Sequence, residues 1–479
     1  MRIKNAISLI LALSLTFASS GCQSVIEPLP SEPVPSPTQE QTPAPMSSPP
    51  MLTRFSDSES FPFPNDSELE VSESGNLMLT KQQALEDYDA MWETLEESFA
   101  FFDAIKAEKG VDHEQVREKY RAELLNIDEA GILMKQFNDV IDRCLFEFNP
   151  VGHLWSVSPS DYAYRVSIPI ENQNENQTQM RAIMDSDKVR QSYEYLGSLN
   201  NAGSCLQTTA PEDRPDTEEI EQYLIDNQYI ATRLFDNAAY IQVNQFLPPE
   251  DPNGYGAELV DMCKRFFKEN RDYPNLIIDI SENSGVGSMF WMELVFSLLS
   301  EPTPQYNILW GVKSGAYNQY IWNAEKPEGK AFSPSDSQWR EMFPNVKPSA
   351  VEGMDWPIIS ERESLMPSED SVRYAGRIWV LTGRGTYSAA DEFSIFCKNT
   401  GFAKLVGSAT SGNGAGRAPH WFALPNSGLL ISYEAYHAFN DNGTCNAIVG
   451  TSPDIEAKEG QTALEACLEQ IQGGISGNP

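Results

Sequence analysis

Ser388 is the residue whose type and position best suit a nucleophile. It follows a predicted strand over residues 377–381 and a Gly-rich turn, and it begins a predicted helix that ends near Lys398. A helix start presents unpaired backbone N–H groups and the positive end of the helix dipole, so the amide of Ala389 could stabilise an oxyanion there. Ser388 and Asp391 also have the spacing of a capping box, so a helix cap is the alternative role of this serine.

The segment around Ser388 resembles the nucleophile segment of the C-terminal processing peptidases. Their pattern is Ser-Ala-x-Glu followed by Gly-x-x-Thr-x-Gly-Lys, and this chain has SAAD at 388–391 and GSATSGN at 407–413. An aspartate stands in place of the glutamate, and Asn413 stands where these peptidases have their lysine base. A neutral amide cannot accept the serine proton, so a Ser-Lys dyad at this position is excluded.

That departure points to the tricorn-core branch of the same family, whose members use a histidine from an upstream segment. In those members a helical N-terminal region ends in a motif like Asp-Gly-His-Thr. This chain has PVGHL at 150–154, directly after its predicted helical region. The resemblance therefore implies that His153 is the base, although a lone histidine by itself is more often structural than catalytic.

Two further site residues follow from the resemblance. The segment IIDISENSGVG at 277–287 is similar to the family's Asp-x-Arg-x-Asn-x-Gly-Gly turn, which implies that the Gly285 amide is the second oxyanion donor. An ordinary strand-to-helix turn would also have glycine there. The tricorn-type glutamate should precede the segment GTSPD at 450–454, where this chain has no acid. We therefore predict that Asn446 orients the imidazole, with Glu434 on the preceding strand as the second candidate.

These residues together imply a serine-type endopeptidase. Ser388, activated by His153, would attack a peptide carbonyl of an extended polypeptide, while the amides of Gly285 and Ala389 hold the oxyanion. The missing lysine and glutamate leave a second hypothesis, a peptidase-fold lipoprotein that binds polypeptides with little or no turnover. A solute-binding lipoprotein is the third, but it requires two similar α/β lobes and the pattern predicts one.

The elements that must position the site fall into three parts. Thr80 and Gln83 have capping-box spacing before an amphipathic helix, the first of three in a predicted helical N-terminal domain over residues 77–155. Residues 236–475 alternate strands with helices, which predicts an α/β fold with parallel strands. The resemblance implies a Clp-protease/crotonase-like β-α-β core there. The fold of residues 156–235 is left open, and no PDZ domain is expected because no Gly-Leu-Gly-type loop occurs.

The N-terminus predicts export. Residues 1–21 have basic residues, an apolar run and then small residues, as signal peptides do. Small residues directly before Cys22 resemble a bacterial lipobox, in which this cysteine is lipidated, and an ordinary signal peptide cut nearby is the alternative. The Pro- and Ser-rich residues 22–76 are predicted to be a disordered tether. We therefore expect an extracytoplasmic protein, lipid-anchored to the outer face of the cell membrane.

The composition of the chain limits the classes of molecule that it could bind. A net charge of −35 excludes the basic footprint that nucleic-acid binding requires, and it leaves the lipid as the only expected membrane contact. Besides Cys22 there are six cysteines, whose possible pairings the sequence does not select. No zinc-binding spacing occurs, so no metal or cofactor is expected. The polypeptide substrate is the one predicted partner, and the oligomeric state is not predicted.

Overall fold

The computed structural model describes residues 63–148, 151–167, 175–199, 215–251, 253–325 and 329–476. The predicted signal peptide, Cys22 and most of the predicted tether lie outside these residues. Within them, no helix combines the length and apolar character that crossing a membrane requires.

The N-terminal part is helical, as predicted. Its elements are β1 (Glu70–Val71), β2 (Leu77–Leu79), α1 (Lys81–Ser98), α2 (Phe102–Lys109), α3 (His113–Leu125), β3 (Ile132–Leu133) and α4 (Met134–Phe146), with the strands in the order β1-β2-β3. The predicted capping box at the start of α1 is confirmed, since the Gln83 N–H donates to the Thr80 hydroxyl and the Thr80 N–H donates to Gln83 Oε1. Buried Trp92, Phe99 and Phe137 pack in the core of this part.

The described residues of the segment left open, 156–235, are mainly helical. They follow a 3₁₀ turn at Val151–His153 and form β4 (Trp155–Ser156), α5 (Pro159–Ser167), α6 (Glu175–Met184), α7 (Asp187–Leu199), α8 (Thr217–Asp226) and β5 (Ile230–Phe235). Strand β4 pairs antiparallel with a later strand, Leu430–Tyr433, through Ser156 and Ile431. This pairing ties the end of the helical part to the C-terminal half of the chain.

The remaining residues form the α/β core. Its elements are β6 (Ala238–Val243), α9 (Tyr255–Glu269), β7 (Asn275–Asp279), α10 (Ser288–Leu298), β8 (Leu309–Val312), α11 (Ala316–Glu325), β9 (Gly329–Ala331), α12 (Gln338–Met342), β10 (Trp356–Ser360), β11 (Arg377–Thr382), α13 (Ala389–Thr400), β12 (Lys404–Gly407), β13 (His420–Ala423), β14 (Leu430–Tyr433), β15 (His437–Phe439), α14 (Asn446–Val449), β16 (Ile455–Glu456) and α15 (Ala463–Ser476).

The central sheet has the strand order β16-β12-β11-β7-β6-β5. All its pairs are parallel except β5 with β6, which confirms the parallel pairing predicted from the alternation of strands and helices. Helices cover both faces of the sheet, so the middle of β7 is apolar on both sides: Leu276 and Ile278 pack against α9, α10 and α13, whereas Ile277 packs toward α15.

The topology of the core explains where the predicted site residues meet. The carboxyl ends of neighbouring parallel strands lie at one edge of a sheet, where α/β proteins commonly bind ligands. The loop after β7 carries Gly285 and the loop after β11 carries Ser388, and β7 and β11 are adjacent. Strand β14 lies in a separate three-stranded sheet, β13-β14-β4, and brings Glu434 beside the turn that ends at His153.

Candidate active site

Ser388 directly precedes α13 in a backbone conformation that few non-glycine residues adopt, with φ of 54° and ψ of −123°. Its N–H donates to the carbonyl of Gly412 at 2.9 Å. Its side chain makes no capping hydrogen bond, so the alternative role as a helix cap is not what the structure shows. Strained conformations of this kind cluster at functional sites, because the surrounding structure must hold them in place.

The side chains of Ser388, His153 and Glu434 form one hydrogen-bonded chain. The imidazole Nε2 of His153 lies 3.2 Å from the Ser388 Oγ, and its Nδ1 lies 3.1 Å from Glu434 Oε2. The three residues are 7%, 1% and 1% exposed, respectively, so water competes little for these bonds. An alcohol, an imidazole and a carboxylate in this order are the groups of a serine hydrolase triad.

Asn446 does not contact the imidazole, which corrects its predicted role. Its Nδ2 donates to Asp391 Oδ2 at 3.0 Å, and its Oδ1 accepts from the N–H groups of Gly414 and Ala415, each at 3.2 Å. Asn446 therefore holds the loop that follows β12. The second candidate, Glu434, takes the place at the ring, because the pairing of β14 with β4 brings it next to the end of the His153 turn.

The buried carboxylate of Glu434 accepts hydrogen bonds from two donors. Burial raises the pKa of its carboxyl, and the hydrogen bonds from His153 and from the Arg417 N–H, the latter at 3.0 Å, oppose that rise. A side chain on Gly416 would collide with the carboxylate. The glycine is thus needed for Glu434 to reach the ring.

The turn that carries His153 is held in an unusual conformation. Gly152 has φ of 61° and His153 has φ of 51°, both in the left-handed region. The Gly152 N–H donates to Asn413 Oδ1 at 2.9 Å, and its carbonyl accepts from the Glu434 N–H at 2.7 Å. A Cβ on Gly152 would lie 2.7 Å from Phe99 and 2.8 Å from Phe101, so only glycine fits between these rings and the turn.

The two predicted oxyanion donors differ in their availability. Ala389 is the first residue of α13, and the first amides of a helix have no intrahelical acceptor. The Gly285 N–H instead donates to Asn283 Oδ1 at 2.8 Å, so this amide is engaged and its predicted role is corrected. The cause is local, since an asparagine side chain readily bonds the backbone two residues on.

Gly285 nevertheless lies directly against the start of α13. A Cβ on this glycine would be 2.8 Å from the Ala389 nitrogen and 2.6 Å from the Tyr387 carbonyl oxygen. The absence of a side chain therefore keeps the Ala389 amide accessible.

Two half-buried aromatic residues flank His153, and sequence reasoning missed both. The rings of Trp155 and Tyr387 each lie with their centroids 5.4 Å from that of the imidazole. Their positions in the chain, two residues after His153 and one before Ser388, are the signal that could have identified them. Burial raises the pKa of the Tyr387 hydroxyl far above its usual range, and a hydrogen bond with the Asn413 side chain opposes the rise.

Each of the other three histidines packs against an aromatic ring, and the ring centroid of His420 lies 6.4 Å from that of Tyr433. His113 stacks on Phe102 at 4.4 Å, and His437 stacks on Phe101 at 4.8 Å. Among the described residues, no group of three or more His, Cys, Asp or Glu side chains could hold a metal ion. The described cysteines are all buried and free, namely Cys144, Cys263, Cys397, Cys445 and Cys467.

The core of the chain matches a known peptidase family. Residues 237–457 match the model of peptidase family S41. A candidate peptidase from Parabacteroides merdae is 16% identical, with a TM-score of 0.47 over 84% of this chain and 100% of that one. Mature CPAF is 13% identical, with a TM-score of 0.48 over 82% of this chain and 96% of that one.

The photosystem II D1 C-terminal processing protease is 13% identical, with a TM-score of 0.35 over 79% of this chain and 93% of that one. No curated protein matches the chain significantly. The family match includes Ser388, Gly285 and Glu434, whereas His153 precedes it.

Proposed function

The chain belongs to peptidase family S41 through its core at residues 237–457, and from this premise we propose that this serine peptidase cleaves extended polypeptides outside the cytoplasm, with Ser388 as its nucleophile and His153 as the base. The observation that carries the proposal is the hydrogen-bonded chain from Glu434 through His153 to Ser388, with distances of 3.1 Å and 3.2 Å.

The geometry supports the following sequence of steps. His153 Nε2 accepts the proton of the Ser388 hydroxyl as the oxygen forms a bond to the peptide carbonyl carbon. The Ala389 N–H donates to the resulting oxyanion, and Glu434 stabilises the imidazolium by charge. The imidazolium then protonates the leaving amine as the peptide C–N bond breaks. Water, deprotonated by His153, then attacks the acyl carbon, and the imidazolium returns the proton to the Ser388 oxygen as the ester bond breaks and the second product leaves.

Glu434 also removes the main reason for the hypothesis of a binding protein without turnover. That hypothesis rested on the lysine position being Asn413 and on the absence of a carboxylate near the segment at 450–454. A buried carboxylate 3.1 Å from the imidazole provides the charge that Asn446 could not. This contact therefore supports turnover through His153 over binding alone.

Labelling with a fluorophosphonate probe tests the proposal. The wild-type chain should be labelled at Ser388, Ser388→Ala should not be labelled, and His153→Ala should lose about 10³-fold or more in labelling rate. Ser394→Ala is a matched control, because Ser394 is a buried serine of α13 whose hydroxyl bonds only to the Ala390 carbonyl within the helix. Labelling that persists in Ser388→Ala, or a folded wild-type chain that neither labels nor cleaves unfolded protein, would refute it.

The location outside the cytoplasm rests on the N-terminal sequence. The small residues before Cys22 and the Pro- and Ser-rich segment after it support a lipid anchor followed by a spacer. Mass spectrometry of the chain expressed in a bacterium with lipoprotein processing should find a diacylated Cys22 at the mature N-terminus. Cys22→Ala should release the protein from the membrane fraction, whereas an unmodified N-terminus at another residue would favour ordinary signal-peptide cleavage.

A further inference from the structure

Asn413 lies between the turn that carries His153 and the helix start that carries Ser388. Its Oδ1 accepts a hydrogen bond from the Gly152 N–H at 2.9 Å, although the two residues are 261 positions apart. Its side chain also hydrogen-bonds the hydroxyl of Tyr387, the residue before Ser388. One amide therefore contacts the immediate neighbour of His153 and the immediate neighbour of Ser388.

The loop that carries Asn413 is anchored on both sides. The Gly412 carbonyl accepts from the Ser388 N–H at 2.9 Å, and the Gly414 N–H donates to Asp391 Oδ2 at 3.0 Å. Asn413 itself has φ of 63°, a left-handed conformation that asparagine tolerates better than most residues. Its side chain thus extends from a backbone whose position relative to α13 is set by these bonds.

This contact lies on the turn that carries the imidazole. Two successive left-handed residues, Gly152 and His153, direct the ring toward Ser388, and such a turn persists only where its surroundings hold it. The His153 Nε2 to Ser388 Oγ distance is 3.2 Å, near the upper limit for a hydrogen bond. A shift of the turn by about 1 Å away from the serine would lengthen this distance beyond hydrogen-bond reach.

We propose that Asn413 is a positioning residue for the reaction, which holds the turn of His153 at the distance from Ser388 that proton transfer requires. It stands where the processing peptidases have their lysine base, but it acts on the backbone of Gly152 and on Tyr387 and not on the serine proton. The inference rests on the proposed function, since this position matters for catalysis only if His153 is the base.

Two substitutions in the full chain test the side-chain amide of Asn413 separately from its backbone. Asn413→Gly removes the side chain without strain, because glycine adopts a φ of 63° freely. Asn413→Asp keeps an acceptor for the Gly152 N–H with nearly the same shape. Asn426→Gly is the matched control, since the amide of Asn426 is also buried but bonds to Asp87 and Asn65.

The expected result is a loss in rate without a loss in substrate binding. Asn413→Gly should lower kcat for a peptide substrate and the rate of fluorophosphonate labelling by about 10²-fold, with little change in KM. Asn413→Asp should recover part of this loss, and Asn426→Gly should retain the wild-type kcat. Hydrogen exchange of the backbone at residues 151–155 should become faster in Asn413→Gly and stay unchanged in Asn426→Gly.

Each other outcome has a defined meaning. A wild-type kcat in Asn413→Gly overturns the inference. A lower kcat with unchanged exchange at residues 151–155 also overturns it, because the turn would then be held by other contacts. Failure of the proposed function would appear separately, as absence of labelling in the wild-type chain. The exchange measurement would then decide alone whether Asn413 holds the turn.

Discussion

Glu434 contacts the His153 turn through both its side chain and its backbone. Its carboxylate lies 3.1 Å from Nδ1 of His153, and its N–H donates to the carbonyl of Gly152 at 2.7 Å. A carboxylate only accepts hydrogen bonds, so Nδ1 carries the ring proton and Nε2 is free to accept from the Ser388 hydroxyl. One residue thereby selects the tautomer of the base and helps to fix the turn that carries it.

Replacing Glu434 should therefore lower the rate of the chemical step. Glu434→Ala removes the acceptor, and Glu434→Gln can present its amide N–H₂ to Nδ1 and so favour the wrong tautomer. We expect both variants to lose about 10²- to 10⁴-fold in kcat. Peptide hydrolysis under single-turnover conditions measures this loss. Glu293→Gln, which breaks an ion pair between α10 and Lys264 of α9, should keep full activity. A Glu434→Gln variant as active as the wild type would remove Glu434 from the mechanism.

Gly152→Ala should destabilise the protein more than a comparable substitution in open space. A Cβ at Gly152 meets Phe99 at 2.7 Å and Phe101 at 2.8 Å, whereas a Cβ at Gly110 meets no atom within 4 Å. Both glycines have positive φ, of 61° and 72°, so the strain of alanine in this region is common to the two variants. We expect the additional cost at Gly152 to be about 1–3 kcal/mol, from overpacking. Urea unfolding of both variants measures the difference, and equal losses would show that the rings move aside.

Gly285→Ala should slow acylation, because the added Cβ would crowd the start of α13 beside Ser388. The added Cβ would lie 2.8 Å from the nitrogen of Ala389, the amide that the oxyanion needs. We expect a loss of about 10²-fold or more in the rate of fluorophosphonate labelling. Gly401→Ala is the control for backbone strain, since Gly401 has φ of 72° and open space around its Cα. Labelling of Gly285→Ala at the wild-type rate would exclude the Ala389 amide as a required donor.

Acid should destabilise the fold in part through His437. Burial lowers the pKa of this imidazole from 6.5 to about 4, and a hydrogen bond to the Ala100 carbonyl opposes that shift. Because the folded pKa lies below the unfolded value, the unfolded chain binds the proton first. The contribution of His437 to the free energy of unfolding is complete above pH 6.5 and is lost between pH 6.5 and 4, by about 3 kcal/mol.

Urea unfolding of the wild type and of His437→Gln at pH 7, 5.5 and 4.5 tests this dependence. Glutamine can still donate to the Ala100 carbonyl but does not titrate, so the variant should lose less stability as the pH falls. The Asp87 carboxyl, whose pKa burial raises to about 6, acts in the opposite direction over the same range and is common to both proteins. Parallel curves for the two proteins would contradict the assignment to His437.

Local sequence predicted most of the elements that support the site. The strand, the Gly-rich turn and the helix around Ser388 appear close to the predicted bounds, and so does the capping box of α1. The alternation of strands and helices predicted a parallel sheet, because a strand buried on both faces is apolar throughout and a helix must connect it to a parallel neighbour. These features depend on residues close together in the chain, so they can be predicted without a structure.

The contacts that complete the site were decided by tertiary structure. Whether Asn446 or Glu434 meets the imidazole depends on the pairing of β14 with β4, which joins residues about 275 positions apart and leaves no periodic signal. The engagement of the Gly285 amide depends on the orientation of one neighbouring asparagine side chain.

By itself, the sequence determined which groups can do chemistry and on which elements they lie, because residue type and periodicity are local properties. Only the tertiary structure decided which of those groups meet. A hydrogen bond such as the one between Asn413 and Gly152 requires two distant segments to be packed within 3 Å of each other, and that distance is set by the whole core and not by either segment.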